Sequence, residues 1–146
     1  MEDIDIQIVE FNSELQKKSI ELRYKVLRKP LGMIYTAEQL AAEHDEIHMV
    51  AVLSNDVVGV VVLKELDADT LKMRQVAVDF NYQKSGIGKQ MVLFSEQFAQ
   101  ENGYKVIVLH ARDVAKDFYL KLNYEVVSDE FIEVGIPHYE MKKELK

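Results

Sequence analysis

The residues with the clearest chemical potential lie in the run Gln83-Lys84-Ser85-Gly86-Ile87-Gly88, where one periodicity gives way to another. Before it, residues 74–78 read as the end of a strand. After it, Ile87, Met91, Phe94 and Phe98 recur on one helix face. A turn that ends a strand and opens a helix leaves several backbone N–H groups without carbonyl partners, converging on a spot that attracts anions. Gly86 and Gly88 have no Cβ, so the backbone can approach a phosphate closely, and Lys84 and Lys89 add positive charge. Two nucleotide signatures do not fit. A P-loop needs glycine where Gln83 stands and a hydroxyl where Gln90 stands, and a dinucleotide fingerprint needs glycine where Met91 stands. Taken alone, one Gly-x-Gly also suits a plain strand-to-helix turn.

The wider pattern resembles the GNAT N-acetyltransferases. Their acyl-CoA pyrophosphate signature is Q/R-x-x-G-x-G/A after a strand, and residues 83–88 match it at every specified place. Downstream, Ala115, Phe118, Tyr119 and Lys121 resemble the family's A-x-x-F-Y-x-K-x-G-F segment. Asn123 replaces its glycine, and asparagine is the next most tolerant residue of a left-handed helix cap. The ending Phe131-Ile132-Glu133-Val134-Gly135-Ile136-Pro137-His138-Tyr139-Glu140-Met141 looks like the (F/Y)-x-E-x-G-I-P-H-x-x-M of the ElaA-like branch, and Leu22-Arg23-Tyr24-Lys25-Val26 resembles that branch's L-R-x-x-V. After Val26 the branch's phenylalanine and V-E-Q run give way to Leu27-Arg28-Lys29-Pro30, a departure that bears on the acceptor side.

The resemblance runs from about Ile4 to the end and implies acetyl-CoA as acyl donor, without a metal. It implies a donor site built from Val76, Val78, Gln83, Lys84, Ser85, Gly86, Ile87, Gly88 and Lys89, and strands that splay apart after residues 78 and 110 to admit the donor. It also implies a small-molecule or peptide amine as acceptor and a homodimer through the C-terminal strands.

Amine acetylation sets two proton tasks. A primary amine near pKa 10.4 is protonated at pH 7, and freeing its lone pair costs about 3.4 pK units, on the order of 4–5 kcal/mol. The departing thiolate wants a proton back, and a tyrosine near pKa 10 can supply one. By the motif match, Tyr119 is the acid. For the base, Glu133 and His138 in the branch-like ending compete with the cluster Glu43, His44, Asp45 and Glu46, while His110, ending a strand, could line the acyl site. Gly135 and Pro137 mark a break between two strands, which should aim Glu133 and His138 at the acceptor. His44 and His48 are four apart but run into a strand, so a shared metal is a weak reading. With no cysteine in the chain, an acyl-cysteine route is closed and transfer is direct. A catalytically silent CoA-binding sensor on the same fold is the alternative.

Those residues must be positioned by a chain of 146 residues, a length that suits one domain spanning residues 1–146. The formal charge of −7 disfavours nucleic-acid backbones. No apolar run approaches the ~20 residues needed to cross a bilayer, and the acidic start Met1-Glu2-Asp3-Ile4-Asp5 is unlike a leader, so a cytoplasmic protein is expected. Residues 4–9 alternate as a strand. Ser13 and Gln16 signal a helix carrying Leu15, Ser19, Leu22 and Val26 on one face, stopped by Pro30 and Gly32. Thr36 and Gln39 signal a short second helix. Strands over 47–53 and 57–66 meet at a tight Asn55-Asp56 turn, and a third covers 71–78. A helix from Gly86 to Asn102 is capped by Gly103; strand, helix and two strands follow. The order β-α-α-β-β-β-α-β-α-β-β predicts an α/β fold, a single mixed β-sheet flanked by helices, as in the acyl-CoA N-acyltransferase (GNAT) fold that the motifs resemble.

Overall fold

The computed structural model describes residues 3–146; Met1 and Glu2, the first residues of the acidic start, lie outside the described residues. Strand β1 (Asp5–Val9) leads to helix α1 (Glu14–Arg23), whose N-cap Ser13 accepts from the Gln16 N–H. The reciprocal bond comes from one residue earlier than a capping box requires, because the Gln16 side chain accepts from the Asn12 N–H. Helix α1 does not run straight to the stop at Pro30. It widens into a π-helical turn, Tyr24–Arg28, then tightens into a 3-10 turn, Lys29–Leu31, closed by Gly32 at φ 67°. The wide turn has a physical use: Leu22 is in a core cluster with Val60, Val62 and Ala77, and both Val26 and Leu27 pack against it. Ordinary α-helical spacing would turn Leu27 away. Helix α2 (Ala37–Ala41) carries the full capping box between Thr36 and Gln39.

Strands β2 (Ile47–Leu53), β3 (Asp56–Asp67) and β4 (Thr70–Val78) follow as expected, with one shift. The β2–β3 turn is Ser54-Asn55, both at positive φ, one residue earlier than the Asn55-Asp56 reading. Positive φ at both central residues is what a two-residue hairpin with native twist demands. Helix α3 (Ile87–Glu101) ends in a Schellman cap: Tyr104 N–H donates to Ala99 O, Gly103 N–H donates to Gln100 O, and Gly103 sits at φ 83°. Strand β5 (Val106–Arg112) and helix α4 (Lys116–Lys121) come next. Helix α4 repeats the same cap with Asn123 at φ 72° and Tyr124 N–H donating to Tyr119 O, so asparagine does serve where the family pattern has glycine.

The C-terminal part holds three strands where two were expected: β6 (Glu125–Val126), β7 (Phe131–Glu133) and β8 (Ile136–Glu144). The break at Gly135 is a two-residue hairpin with Glu133 opposite Ile136, and both Val134 (φ 47°) and Gly135 (φ 75°) are left-handed.

Among the described residues the eight strands form one mixed sheet, ordered β1-β2-β3-β4-β5-β8-β6, with β7 also paired to β8. The parallel β4–β5 ladder covers Thr70–Met73 against Val106–Leu109. By contacts the chain divides into two compact units. The first, up to Lys64 with Gln75–Ser95, is built on the buried valine run of β3 together with Met49, Val50 and Ala51 of β2. The second, Glu65–Arg74 with Glu96–Lys146, centres on Leu71, Ile107, Leu109 and Met141.

Candidate active site

In the first unit the glycine loop is built by its own backbone. Asp79 caps a 3-10 turn, Phe80–Tyr82, accepting from Asn81 N–H at 3.0 Å, while its own N–H donates to Val58 O at 2.8 Å. The Gln83 side chain folds back to donate to Val78 O at 3.0 Å, and Ser85 bonds the Tyr82 carbonyl through both its N–H and its hydroxyl. Lys84 at φ 69° and Gly86 at φ 91° then turn the chain into α3, where Gln90 N–H donates to Gly86 O and opens the helical ladder. The N–H groups of residues 86–89 are thus those at the start of a fifteen-residue helix.

Only glycine adopts the Gly86 conformation comfortably, and nothing lies within 4 Å of where its Cβ would point. Residues 83–86 and Lys89 are exposed, Gly88, Val76 and Val78 are half-buried, and Ile87 is buried. An exposed turn of this kind, with open space beside Gly86 and two lysines, fits a pyrophosphate.

One residue that seats this helix was not singled out from the sequence. A Cβ on Gly59 of β3 would meet Met91 Sδ at 2.6 Å, Ala51 Cβ at 3.2 Å and Ile87 Cγ2 at 3.3 Å. Gly59 therefore lets the first turns of α3 lie close on the strand. The available signal was an isolated glycine within a valine run. Gln75, at φ 53°, also breaks the expected regular β4 and receives the Tyr35 hydroxyl at 2.6 Å.

In the second unit Tyr119 is buried at 6% exposure, its ring edge-on to Phe118 (5.0 Å) and to Tyr124 (5.7 Å). Burial pushes its hydroxyl well above the ordinary tyrosine value. Giving up its proton therefore costs more than it would for a tyrosine in water. Tyr124 donates to Glu96, which also receives Lys143 Nζ at 2.8 Å.

Glu133 and His138 come together with His110. Glu133 Oε1 lies 2.9 Å from His110 Nδ1, and its Oε2 lies 3.6 Å from His138 Nε2. His110 Nε2 is 3.5 Å from Glu140 Oε1. Burial alone would raise the Glu133 carboxyl, but the hydrogen bond and charge of His110, with the charges of His138 and Lys72, outweigh it and hold it below the usual range. The two residues differ in access: the Glu133 side chain is 43% exposed and that of His138 only 5%, with His138 Nδ1 2.8 Å from Ile136 O.

The rival cluster disperses. Glu43 is buried and takes both guanidinium nitrogens of Arg23, at 2.7 and 2.8 Å. His48 is buried with Nε2 on Glu43 O, whereas His44 and Asp45 are exposed. Among the described residues no group of three or more potential ligands is arranged to hold a metal, and no helix is long and apolar enough to cross a membrane.

A family model described as an acetyltransferase (GNAT) domain matches residues 17–145. The chain belongs to the GNAT acetyltransferase family. Among its relatives is the uncharacterized protein YyaT of Bacillus subtilis (strain 168), 31% identical over 122 residues, which are 77% of this chain and 82% of YyaT. The crystal structure of a putative N-acetyltransferase from Lactobacillus plantarum matches with a TM-score of 0.88 at 21% identity, covering 98% of this chain and 99% of that one. Escherichia coli ElaA matches with a TM-score of 0.79, also at 21% identity, over 97% of this chain and 99% of ElaA. These two share the GNAT fold with this chain, and ElaA is the neighbour to which the C-terminal motif pointed.

Proposed function

We propose that this GNAT protein is an acetyl-CoA-dependent N-acetyltransferase that acts directly on a primary amine of a small molecule or peptide, with residues 1–146 acting as one catalytic domain in the cytoplasm. The observation that carries the reading is the turn into α3, where Gly86 at φ 91° leaves open space beside the N–H groups of a helix start. Val76, Val78 and residues 83–89 hold the donor, with the anionic pyrophosphate against the N–H groups of residues 86–89. When bound, acetyl-CoA supplies an activated thioester carbonyl. The protein's own residues handle charge and protons. Glu133, ionised and half-exposed, makes the acceptor side negative and so favours an ammonium; His138 Nε2 lies 3.6 Å from its far oxygen; and the Tyr119 hydroxyl donates to the leaving sulfur.

A thiol-release assay with acetyl-CoA and a panel of amines (spermidine, glucosamine, tyramine, a lysine peptide) tests the reaction. Gly86→Val should abolish CoA binding by calorimetry while the protein stays folded; unchanged affinity would remove the loop from the site. Tyr119→Phe keeps the packing and removes the proton, so kcat should fall about 10²-fold or more with little change in CoA affinity. The burial of Tyr119 is the one observation that favours a silent CoA-binding module. Tight CoA binding without turnover on any amine would establish that alternative.

A further inference from the structure

We propose that His110 is the catalytic base of this reaction, taking the acceptor's proton on Nε2, with Glu133 as its positioning residue and Glu140 as the anchor for the acceptor's ammonium. This rests on the acetyltransferase reading above. A carboxylate only accepts, so the 2.9 Å contact between Glu133 and His110 Nδ1 places a proton on Nδ1, and a neutral ring then carries its lone pair on Nε2. That nitrogen is 3.5 Å from Glu140, too far for an ordinary N–H···O bond. One ring nitrogen is thus tied down and the other is open beside a carboxylate. Phe131 meets the ring edge-on at 5.1 Å, and the side chain is 25% exposed, enough for an amine to reach it.

His138 has the opposite character. It is 5% exposed, its Nδ1 is spent on Ile136 O of its own strand, and its Nε2 faces the far oxygen of Glu133. It is therefore packed behind the carboxylate that orients His110 and closed to an arriving amine. The strand register puts the trio on one side of the second unit. His110 stands opposite Glu140, while the adjacent pair Leu109 and Met141 points the other way, with Tyr139 and Lys143. Lys116 of α4 lies over the Tyr139 ring, and Lys143 donates to Leu122 O at the end of α4. Helix α4, with Tyr119, thus covers the opposite face from His110, so acid and base come from different sides of the sheet.

The charged groups around His110 are Glu133 from β7, His138 and Glu140 from β8, Arg112 two residues on along β5, and Lys72 of β4, which acts on Glu133. An ammonium arriving at Glu140 is brought beside the open Nε2 of His110, 3.5 Å from that carboxylate. The ammonium gives one proton to Nε2, and its freed lone pair forms the N–C bond as the C–S bond breaks. The thiolate takes the Tyr119 proton, the second amine proton restores the tyrosine, and His110 returns its own proton to solvent. The sum is ammonium plus thioester giving amide, thiol and one proton.

His110→Asn tests this, because the amide nitrogen can still donate to Glu133 but nothing remains to accept a proton. Using the best amine of the panel, kcat should fall at least about 10²-fold with CoA affinity unchanged, and the acid limb of the pH–rate profile should disappear. In His110→Ala, added imidazole should restore part of the rate; the loss in His138→Ala should not respond to imidazole. Glu140→Gln should raise KM for the amine more than it lowers kcat. His110→Asn turning over within about threefold of wild type under chemistry-limited conditions, or imidazole rescue at His138 instead, would overturn the assignment and leave the acetyltransferase reading standing. Wild type that binds CoA but acetylates no amine would fail both.

Discussion

The two units each contain a carboxylate bound by a nitrogen-bearing side chain, and the two pairs differ in burial and in geometry. In the first unit Arg23 and Glu43 form a fork of two bonds with side chains 0% and 5% exposed, and the Tyr35 ring lies 4.7 Å from the guanidinium. Burial works against the Arg23 charge, but Glu43 and Tyr35 outweigh it, so the guanidinium is held more firmly protonated than in water. In the second unit His110 and Glu133 are 25% and 43% exposed and share one bond. A dry bidentate pair fixes geometry and exchanges no protons, whereas a half-wet imidazole and carboxylate can pass a proton to a substrate. Burial and the kind of nitrogen partner, more than distance, separate a dry fork from a pair that water can reach.

The contrast breaks most visibly in stability. Arg23→Ala leaves Glu43 buried without its charge partner and should cost about 3–5 kcal/mol in urea unfolding. Replacing both partners with apolar residues of similar size, Arg23→Met with Glu43→Leu, should recover most of that loss, since the desolvation penalty leaves with the charges. A double variant as unstable as the single one would show that Arg23 matters through its other contacts, Tyr35 above all.

Glu133→Gln should be milder, under about 1 kcal/mol at neutral pH, because the pair is screened by water. Its sign is fixed by the downward shift of Glu133. The carboxylate's contribution is present above the unfolded value near 4.5 and is lost as pH falls through the lower folded value, so wild type and variant should converge in acid. Curves that stay parallel to the acid limit would mean that the charge on Glu133 contributes nothing to folding.

The same contrast explains what could be read from the sequence. The loop was legible because its demands are local: a left-handed Gly86, a helix start and a strand end fall within a few residues. The Asn123 cap was legible for the same reason. The His110–Glu133 bond joins residues 23 apart and the Arg23–Glu43 fork residues 20 apart, and no periodicity marks either partner. Glu43 therefore stood among the possible bases until its carboxylate was found on Arg23. The π-turn at Tyr24–Arg28 was hidden because it exists to bring both Val26 and Leu27 to a core supplied by β3 and β4.

The smallest effect concerns a third pair, Lys25 and Asp79, 3.1 Å apart at the base of the glycine loop, with Lys25 48% exposed. It resembles the other two on paper, yet the carboxylate's partner of consequence is not the lysine. Asp79 is held below the usual range first by the backbone hydrogen bond from Asn81, against an opposing effect of burial, and only then by Lys25. Lys25→Met should therefore cost no more than about 0.5 kcal/mol and leave the acid dependence nearly intact. Asp79→Ala removes the cap of the turn that leads into Gln83 and should cost about 1 kcal/mol. It should also weaken CoA binding, because the loop loses the anchor at its start. If Lys25→Met proved as costly as Asp79→Ala, the ion pair would outweigh the cap, and exposure would no longer rank these three pairs.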